Sequence, residues 1–147
     1  MIERATIVRE ARAWIGTPYR HQASCRGSGA DCLGLVRGVW RALFGREPER
    51  PPPYTRDWAE ADPAETLLLA ARRHLEERSP GAAEPGDVLL FRWRAGAPAK
   101  HAGILATPTT LIHAYEGIAV TESPLGSAWR RRLAGVFAFP GAAPWQP

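Results

Sequence analysis

The sequence predicts an α+β fold in which N-terminal helices pack on one antiparallel β-sheet. The chain has 147 residues, of which 45% are hydrophobic and 23% charged, values that suit one globular domain. In its first half, apolar residues recur at helical spacing, whereas the second half holds short strand-like stretches separated by Gly or Pro. Helices followed by strands are typical of the α+β class. We therefore expect a single domain spanning residues 1–147.

The first half of the chain contains three predicted helices, each with a recognisable end. Gly16, Thr17 and Pro18 end the first helix, and a polar, glycine-containing loop follows over residues 19–30. Asp31 is a good N-cap for the second helix, and Gly45 is a good stop. A proline-rich loop over residues 46–63 precedes the third helix. The predicted helices cover residues 2–15, 31–44 and 64–78.

The second half of the chain contains five short predicted strands. Residues 79–86 form a turn region that leads into the first strand, and Glu116-Gly117 suits a hairpin turn. The last seven residues are expected to be loose or to lie along a surface. The predicted strands cover residues 88–93, 102–107, 111–115, 118–122 and 132–139.

Charge and hydropathy exclude several classes of function. The net charge is +4, and Lys100 is the only lysine beside many arginines. No zinc-finger, homeodomain or RNA-binding signature accompanies this charge, so we expect no nucleic-acid partner, although a carboxylate-bearing polymer would suit the surface. No apolar run approaches the ~20 residues that span a bilayer, so no membrane association is expected. The N-terminus lacks a secretory signal pattern, which predicts synthesis in the cytoplasm and exit, if any, by another route.

The two cysteines, Cys25 and Cys32, differ in their predicted surroundings. Without a secretory signal, we expect no structural disulfide between them. Cys32 follows Asp31 and opens the second helix, where unpaired backbone N–H groups create a positive field. That field should lower the pKa of Cys32 and favour the nucleophilic thiolate, with N–H groups available for an oxyanion. The alternative is a small buried residue without chemistry.

His101 and His113 are the candidates for a general base and its orienting partner. His101 begins a predicted strand, and the small residues Ala102 and Gly103 after it allow close approach to the helix start. His113 lies twelve residues further on, which suits a position beside His101 in a hairpin. A surface histidine and a hydrogen-bonded core histidine are the respective alternatives.

Tyr19 is the candidate for an additional oxyanion donor, and its alternative role is to anchor the loop. Cys32, His101 and His113, with Cys25 or Asp31, are also the side chains of a conceivable zinc site. Their spacing lacks a short chelating pair, so we favour a cysteine nucleophile and expect no metal. The remaining candidates, which suggest no chemistry, are His21 and Cys25 in the loop and His74 on the third helix.

Several short motifs together resemble the NlpC family of papain-like cell-wall peptidases. They include a Gly-Thr-Pro-Tyr stretch, an Asp-Cys-x-Gly-Leu helix start, a Pro-Gly-Asp turn, a His-x-Gly-Ile base region and an Ile-His-Ala strand. Their order and spacing agree with the family over nearly the whole chain. The motifs occupy residues 16–19, 31–35, 85–87, 101–104 and 112–114.

The resemblance implies a papain-like fold and a thiol hydrolase that needs no cofactor. Its substrate would be the peptidoglycan stem peptide, cut between D-glutamate and diaminopimelate. Cys32 would attack the carbonyl, His101 would act as base and then acid, and His113 would orient His101. Tyr19 and the Cys32 N–H would hold the oxyanion. Asp31 lies where it meets a substrate amine, but capping the helix is its simpler role.

Further runs resemble the short peptidases of phage tails and phage-like gene transfer agents. They are residues 21–24, the helix from Asp31 to Trp40, and residues 57–60. This resemblance implies a chain carried on a tail particle, docked to a hub or baseplate protein, that acts in the periplasm on the cell wall. Residues 46–63 and the tail with Trp145 are the candidate docking surfaces.

Two other functions remain open at this point. The same frame also suits an amidase or an acyltransferase, because fold does not fix substrate. A structural tail component that keeps the fold without its chemistry is the third possibility, and the intact set of Cys32, His101 and His113 argues against it.

Overall fold

The computed structural model describes residues 1–51, 64–115 and 117–147. The helices are α1 (Arg4–Arg12), α2 (Cys32–Phe44), α3 (Thr66–His74) and α4 (Ser127–Arg131). The strands are β1 (Ser24–Cys25), β2 (Gly29–Ala30), β3 (Glu76–Arg78), β4 (Val88–Arg92), β5 (Ala99–Thr107), β6 (Thr110–Tyr115), β7 (Ile118–Pro124) and β8 (Leu133–Ala138).

A six-stranded antiparallel sheet, in the order β3-β8-β4-β5-β6-β7, forms the centre of the fold. Helices α1, α2 and α3 pack on one face, where Ile7, Leu35 and Ile104 are fully buried. The opposite face carries a smaller apolar cluster around Phe91, which is covered by Leu125 and by Trp129 of α4. The predicted α+β class, with helices on an antiparallel sheet, is therefore confirmed.

Helix α2 begins and ends as the sequence predicts. The Asp31 carboxylate accepts a hydrogen bond of 2.7 Å from the Gly34 N–H, which satisfies one of the free donors of the first turn. Gly45 ends the helix with a φ of 81°, a conformation that glycine adopts without strain. Gly34 also lets the preceding loop approach closely, since a Cβ there would overlap with the carbonyl oxygen of Ala23.

The structure differs from the prediction in three segments. Residues 76–78, predicted as the end of a helix, form edge strand β3, because they pair with β8 after α3 ends at His74. The predicted loop over residues 19–30 contains the small hairpin β1–β2. Helix α4, which was not predicted, precedes β8.

Both ends of the chain are held together beside a buried ion pair. Ile2 bridges to Ala142 in parallel, so part of the tail is ordered. The Arg4 guanidinium, only 3% exposed, lies 2.6 Å from the Asp87 carboxylate and donates to the Ala143 carbonyl. The Asp87 of the Pro-Gly-Asp turn thus joins the N-terminal helix to the sheet.

No helix in the described part of the chain is long and apolar enough to cross a membrane. Residues 52–63 of the predicted proline-rich loop, including the run at 57–60, lie outside the described residues. So does Glu116 of the predicted hairpin turn.

Candidate active site

Cys32 lies where the start of α2 meets strand β5. The pairing of β5 with β6 reaches only as far as Gly103 and His113, so the peptide groups from Lys100 to Ala102 lie beyond it. There the Cys32 thiol donates to the Lys100 carbonyl, with 3.9 Å between Sγ and O, while the Ala102 N–H faces the sulfur. The candidate nucleophile is therefore seated against the backbone on either side of His101.

The protonation state of Cys32 differs from the expectation. Although part of the residue faces solvent, burial of the sulfur raises the pKa of Cys32 to about 12, and the negative charge of Asp31 acts in the same direction. Backbone N–H groups, among them those of Leu33 and Ala102, lower the pKa as the helix-start argument requires, but they do not outweigh desolvation. The predicted lowering of this pKa was wrong, and the thiol is neutral in the free chain.

His101 and His113 form a hydrogen-bonded pair, with 2.9 Å between Nε2 of His101 and Nδ1 of His113. Nε2 of His113 in turn lies 2.9 Å from Oγ of Ser123 on β7. Burial lowers the pKa of His101 to about 3, with a contribution from His113, and burial also lowers the pKa of His113 to about 4. Both imidazoles are therefore neutral near pH 7.

Ser123 extends the pair into a chain of three side chains, which the sequence did not indicate. If Nε2 of His101 carries the proton, it donates to Nδ1 of His113, and Nε2–H of His113 then donates to Ser123. The reverse chain, from the Ser123 hydroxyl through His113 to Nε2 of His101, satisfies the same two contacts, but only the first assignment leaves Nδ1 of His101 without a proton and able to act as a base. The cross-strand register of β6 and β7 brings Ser123 to this position, and no local motif marks it.

Aromatic rings surround the His101 imidazole. The rings of Trp93 and Trp129 lie 4.9 Å and 5.2 Å from it, measured between centroids. Phe91, its cross-strand neighbour on β4, lies 6.0 Å away and is fully buried. This apolar enclosure is the physical cause of the low pKa of His101.

Asp31 is placed for a structural role. Its two carboxylate oxygens accept from the Gly34 N–H and the Gln22 N–H, each at 2.7 Å, so the residue both caps α2 and fixes the preceding loop. Gln22 adopts a φ of 65°, uncommon for a residue with a side chain, at the point where this loop meets Asp31. Tyr19 is half-buried, and its backbone bridges to Ala30, two residues before Cys32.

The remaining candidates lie apart from this cluster. Cys25 is an exposed free thiol on β1, and His74 ends α3, 3.5 Å from Glu49. His21 contacts the neighbouring Gln22 side chain. Among residues 1–51, 64–115 and 117–147, no group of three or more His, Cys, Asp or Glu side chains is arranged to hold a metal ion.

Comparison with known protein families identifies the family to which these residues belong. Residues 16–138 match the model of the NlpC/P60 family, which is most of the chain and includes every residue of the cluster. The chain belongs to the NlpC/P60 family. The family resemblance predicted from the motifs is thereby confirmed, and the tail-associated type stays a prediction.

One relative of known function is much longer than this chain. The chain is 30% identical over 134 residues to a gamma-DL-glutamyl hydrolase of Bacillus subtilis (strain 168), a match that covers 90% of this chain and 29% of that protein. This chain thus spans less than a third of that relative.

Solved NlpC/P60 structures share the fold. The NlpC/p60 domain of the peptidoglycan hydrolase SagA aligns with a TM-score of 0.65 at 24% identity, covering 94% of this chain and 100% of that one. RipD of Mycobacterium tuberculosis, described as a non-catalytic NlpC/p60 domain protein adapted to peptidoglycan binding, aligns with a TM-score of 0.57 at 11% identity, covering 93% and 96%. The fold therefore occurs in both hydrolytic and non-catalytic proteins.

Proposed function

We propose that this chain is a cysteine endopeptidase that hydrolyses the stem peptide of peptidoglycan, at the bond between D-glutamate and diaminopimelate. The observation that carries the proposal is the chain of hydrogen bonds from His101 through His113 to Ser123, at the strand segment where the Cys32 thiol is seated. Family membership supports a peptidoglycan substrate, and the name of the Bacillus subtilis relative supports a glutamyl bond.

In the first half of the proposed reaction, Sγ of Cys32 attacks the glutamyl carbonyl carbon. The S–H proton passes to Nδ1 of His101 as the S–C bond forms, because thiol and imidazole are both neutral beforehand. Backbone N–H groups at the start of α2, with the Tyr19 hydroxyl, stabilise the oxyanion. His113 holds the imidazolium through its hydrogen bond.

In the second half, the tetrahedral intermediate collapses and the C–N bond breaks. His101 gives its proton to the leaving amine of diaminopimelate, and a thioester to Cys32 remains. A water molecule, deprotonated by His101, then attacks the thioester carbonyl and releases the glutamyl carboxylate. As the S–C bond breaks, His101 returns the proton taken from water to the departing Cys32 sulfur, and the product acid loses its own proton to solvent. Thiol and imidazole are then both neutral again.

The matched pair Cys32→Ala and Cys25→Ala tests this proposal. Purified protein is incubated with peptidoglycan sacculi, and the released fragments are identified by mass spectrometry. We expect wild type and Cys25→Ala to release fragments cut between D-glutamate and diaminopimelate, and Cys32→Ala to release none. Hydrolysis by Cys32→Ala would refute the nucleophile. Cleavage of another amide would indicate an amidase or acyltransferase, and no release by wild type would favour a structural or binding role.

We further propose that the chain is made in the cytoplasm and reaches the wall on a phage-like tail, docked to a hub or baseplate protein. The sequence runs at residues 21–24 and in α2 support this proposal by their resemblance to tail-encoded peptidases. In the C-terminal segment of the chain, Trp145 is half-buried, and its backbone N–H donates to the Glu84 carboxylate at 3.3 Å. We expect a tagged chain to co-purify with tail particles, and Cys32→Ala particles to assemble without breaching the wall. Particles that lack the chain would refute delivery by this route.

A further inference from the structure

Trp129 lies against both imidazoles of the candidate active site. Its ring stacks on His101, with 5.2 Å between centroids and 28° between planes. The same ring meets His113 edge to face, at 5.2 Å and 81°. One side chain of a five-residue helix thus covers both partners of the 2.9 Å hydrogen bond.

Trp129 is itself held in place by its neighbours. Phe91 meets it edge to face at 5.2 Å, and Trp93 lies 5.9 Å away. The next residue, Arg130, donates to the carbonyls of Leu125 and Pro108, which ties α4 to the loops beside β5 and β7. The guanidinium of Arg130 is therefore engaged with those carbonyls, and the indole is the group of α4 that contacts the imidazoles.

We propose that Trp129 is a positioning residue that holds the His101 ring in line with His113 and keeps water from the hydrogen bond between them. The catalytic meaning of this inference rests on the proposed function. The exclusion of water from the two buried imidazoles is independent of the proposed function.

Two opposite effects of the indole on His101 have to be weighed. A ring face stabilises an imidazolium and so raises its pKa by about one unit. Exclusion of water acts the other way and shifts the pKa of a fully buried group by up to about 3–5 units. Since burial is the main cause of the low pKa of His101, loss of the indole should raise that pKa.

Other titratable groups surround His101 and stay in place in the test. His113 and Tyr115 face it from β6, Cys32 lies at the start of α2, and Lys100 precedes it on β5. On β4, Arg92 is engaged by Glu65 at 2.7 Å. A change confined to Trp129 leaves all of these charges as they are.

Titration of the histidines by NMR, in the Cys32→Ala background, tests the proposal without any substrate. Trp129→Ala should raise the pKa of His101 by at least about one unit, because water enters. Trp129→Leu and Trp129→Phe, which keep the site dry, should leave it close to that of the parent. His21 and His74, outside the cluster, serve as references in the same spectra. An unchanged His101 titration in Trp129→Ala, or equal changes at all four histidines, would overturn the proposal.

Activity measurements on the protein that retains Cys32 then test whether Trp129 positions the His101 ring. With a stem peptide as substrate, Trp129→Ala should lower kcat by about tenfold or more at nearly constant KM. The acidic limb of the pH profile should move to higher pH, and Trp129→Phe should restore both. An effect on KM alone would overturn the positioning role. If wild type hydrolyses nothing, the proposed function fails, and the titration still decides the role of Trp129.

Discussion

The imidazole of His113 reaches His101 across Gly103, the residue with which His113 is paired in the sheet. A Cβ at Gly103 would lie 3.1 Å from Cβ of His113 and 2.8 Å from Cδ1 of Leu111. The glycine of the His-x-Gly motif therefore makes room for the hydrogen bond between the two histidines. Its role is steric, since its φ lies outside the range that only glycine favours.

Gly103→Ala should displace His113 and lower activity. The added methyl group forces His113 or Leu111 to move by several tenths of an ångström, which lengthens the His101–His113 bond. We expect kcat on a stem peptide to fall by about tenfold or more. Gly126→Ala is the matched control, because a Cβ there meets no heavy atom within 4 Å. Equal kcat in the two variants would contradict this role of Gly103.

Ser123→Ala should weaken the orientation of His113. The variant removes the acceptor of the His113 Nε2–H and leaves a buried donor without its partner. We expect kcat to fall several-fold, on the order of 1 kcal/mol of barrier, with KM unchanged. Ser79→Ala, whose side chain caps no helix, provides the control. A kcat equal to that of wild type would remove Ser123 from the hydrogen-bond chain.

Asp31→Asn should make the thiol easier to ionise. The negative charge of Asp31 is the second largest cause of the raised pKa of Cys32, so a neutral amide should bring this pKa below about 12. The pH dependence of iodoacetamide alkylation, measured in a Cys25→Ser background, reports the change at Cys32 alone. Glu3→Gln, which neutralises an exposed carboxylate, is the control. A pKa that stays the same or rises in Asp31→Asn would contradict the electrostatic argument.

Stability should fall as the pH drops from about 6.5 toward 4. The pKa values of His101 and His113 are about 3 and 4 when folded, below the ordinary value of 6.5, so the unfolded chain binds more protons in this window. Each histidine then removes up to about 1.4 kcal/mol of unfolding free energy per pH unit. Urea titrations from pH 7 to 5 measure this slope before most carboxylates titrate.

His113→Gln should flatten that dependence, because it removes one of the two buried imidazoles. His21→Gln, which removes an imidazole outside the cluster, is the matched control. Equal slopes for wild type and His113→Gln would show that the buried pair does not govern acid stability.

Asp87→Ala should destabilise the fold strongly. It removes the carboxylate that lies 2.6 Å from the buried Arg4 guanidinium and 3.2 Å from Arg78, while the Glu84 carboxylate, 3.3 Å from Arg4, remains. Breaking a buried pair in this way costs about 3–5 kcal/mol. Glu77→Ala breaks the Arg72–Glu77 pair, whose side chains are nearly half exposed, and should cost about 0–1 kcal/mol. Urea unfolding compares the two variants. A loss below 1 kcal/mol in Asp87→Ala would contradict a structural role for this ion pair.

The sequence predicted the parts of the fold that local patterns encode. Asp31 and Gly45 mark the ends of α2. The short apolar stretches separated by Gly or Pro in the second half of the sequence indicate the strands. Strand β3 was mistaken for helix because its three residues continue a helical stretch, and only pairing with β8 makes them a strand. The hairpin β1–β2 has two residues in each strand, too few for a periodic signal.

In the candidate site, too, local motifs were predictable from the sequence, whereas features that depend on tertiary structure were not. The motifs around Cys32, His101 and His113 pointed to a cluster that the structure assembles, although their catalytic roles remain predictions. Ser123 and Trp129 were missed because they reach the histidines through cross-strand register and a short helix. The direction of the Cys32 pKa was wrong because a helix start is visible in sequence, whereas the burial of a sulfur against β5 is not.

The parallel bridge between Ile2 and Ala142 has a consequence for proteins built from this fold. The Ile2 N–H donates to the Gly141 carbonyl and the Ala143 N–H to the Ile2 carbonyl, each at 2.7 Å, so the two ends of the chain meet at one place. Polypeptide attached before Met1 and polypeptide attached after Pro147 would therefore emerge from neighbouring points. A tether on either end would therefore attach to the domain at nearly the same place, and a short linker joining the ends would allow circular permutation.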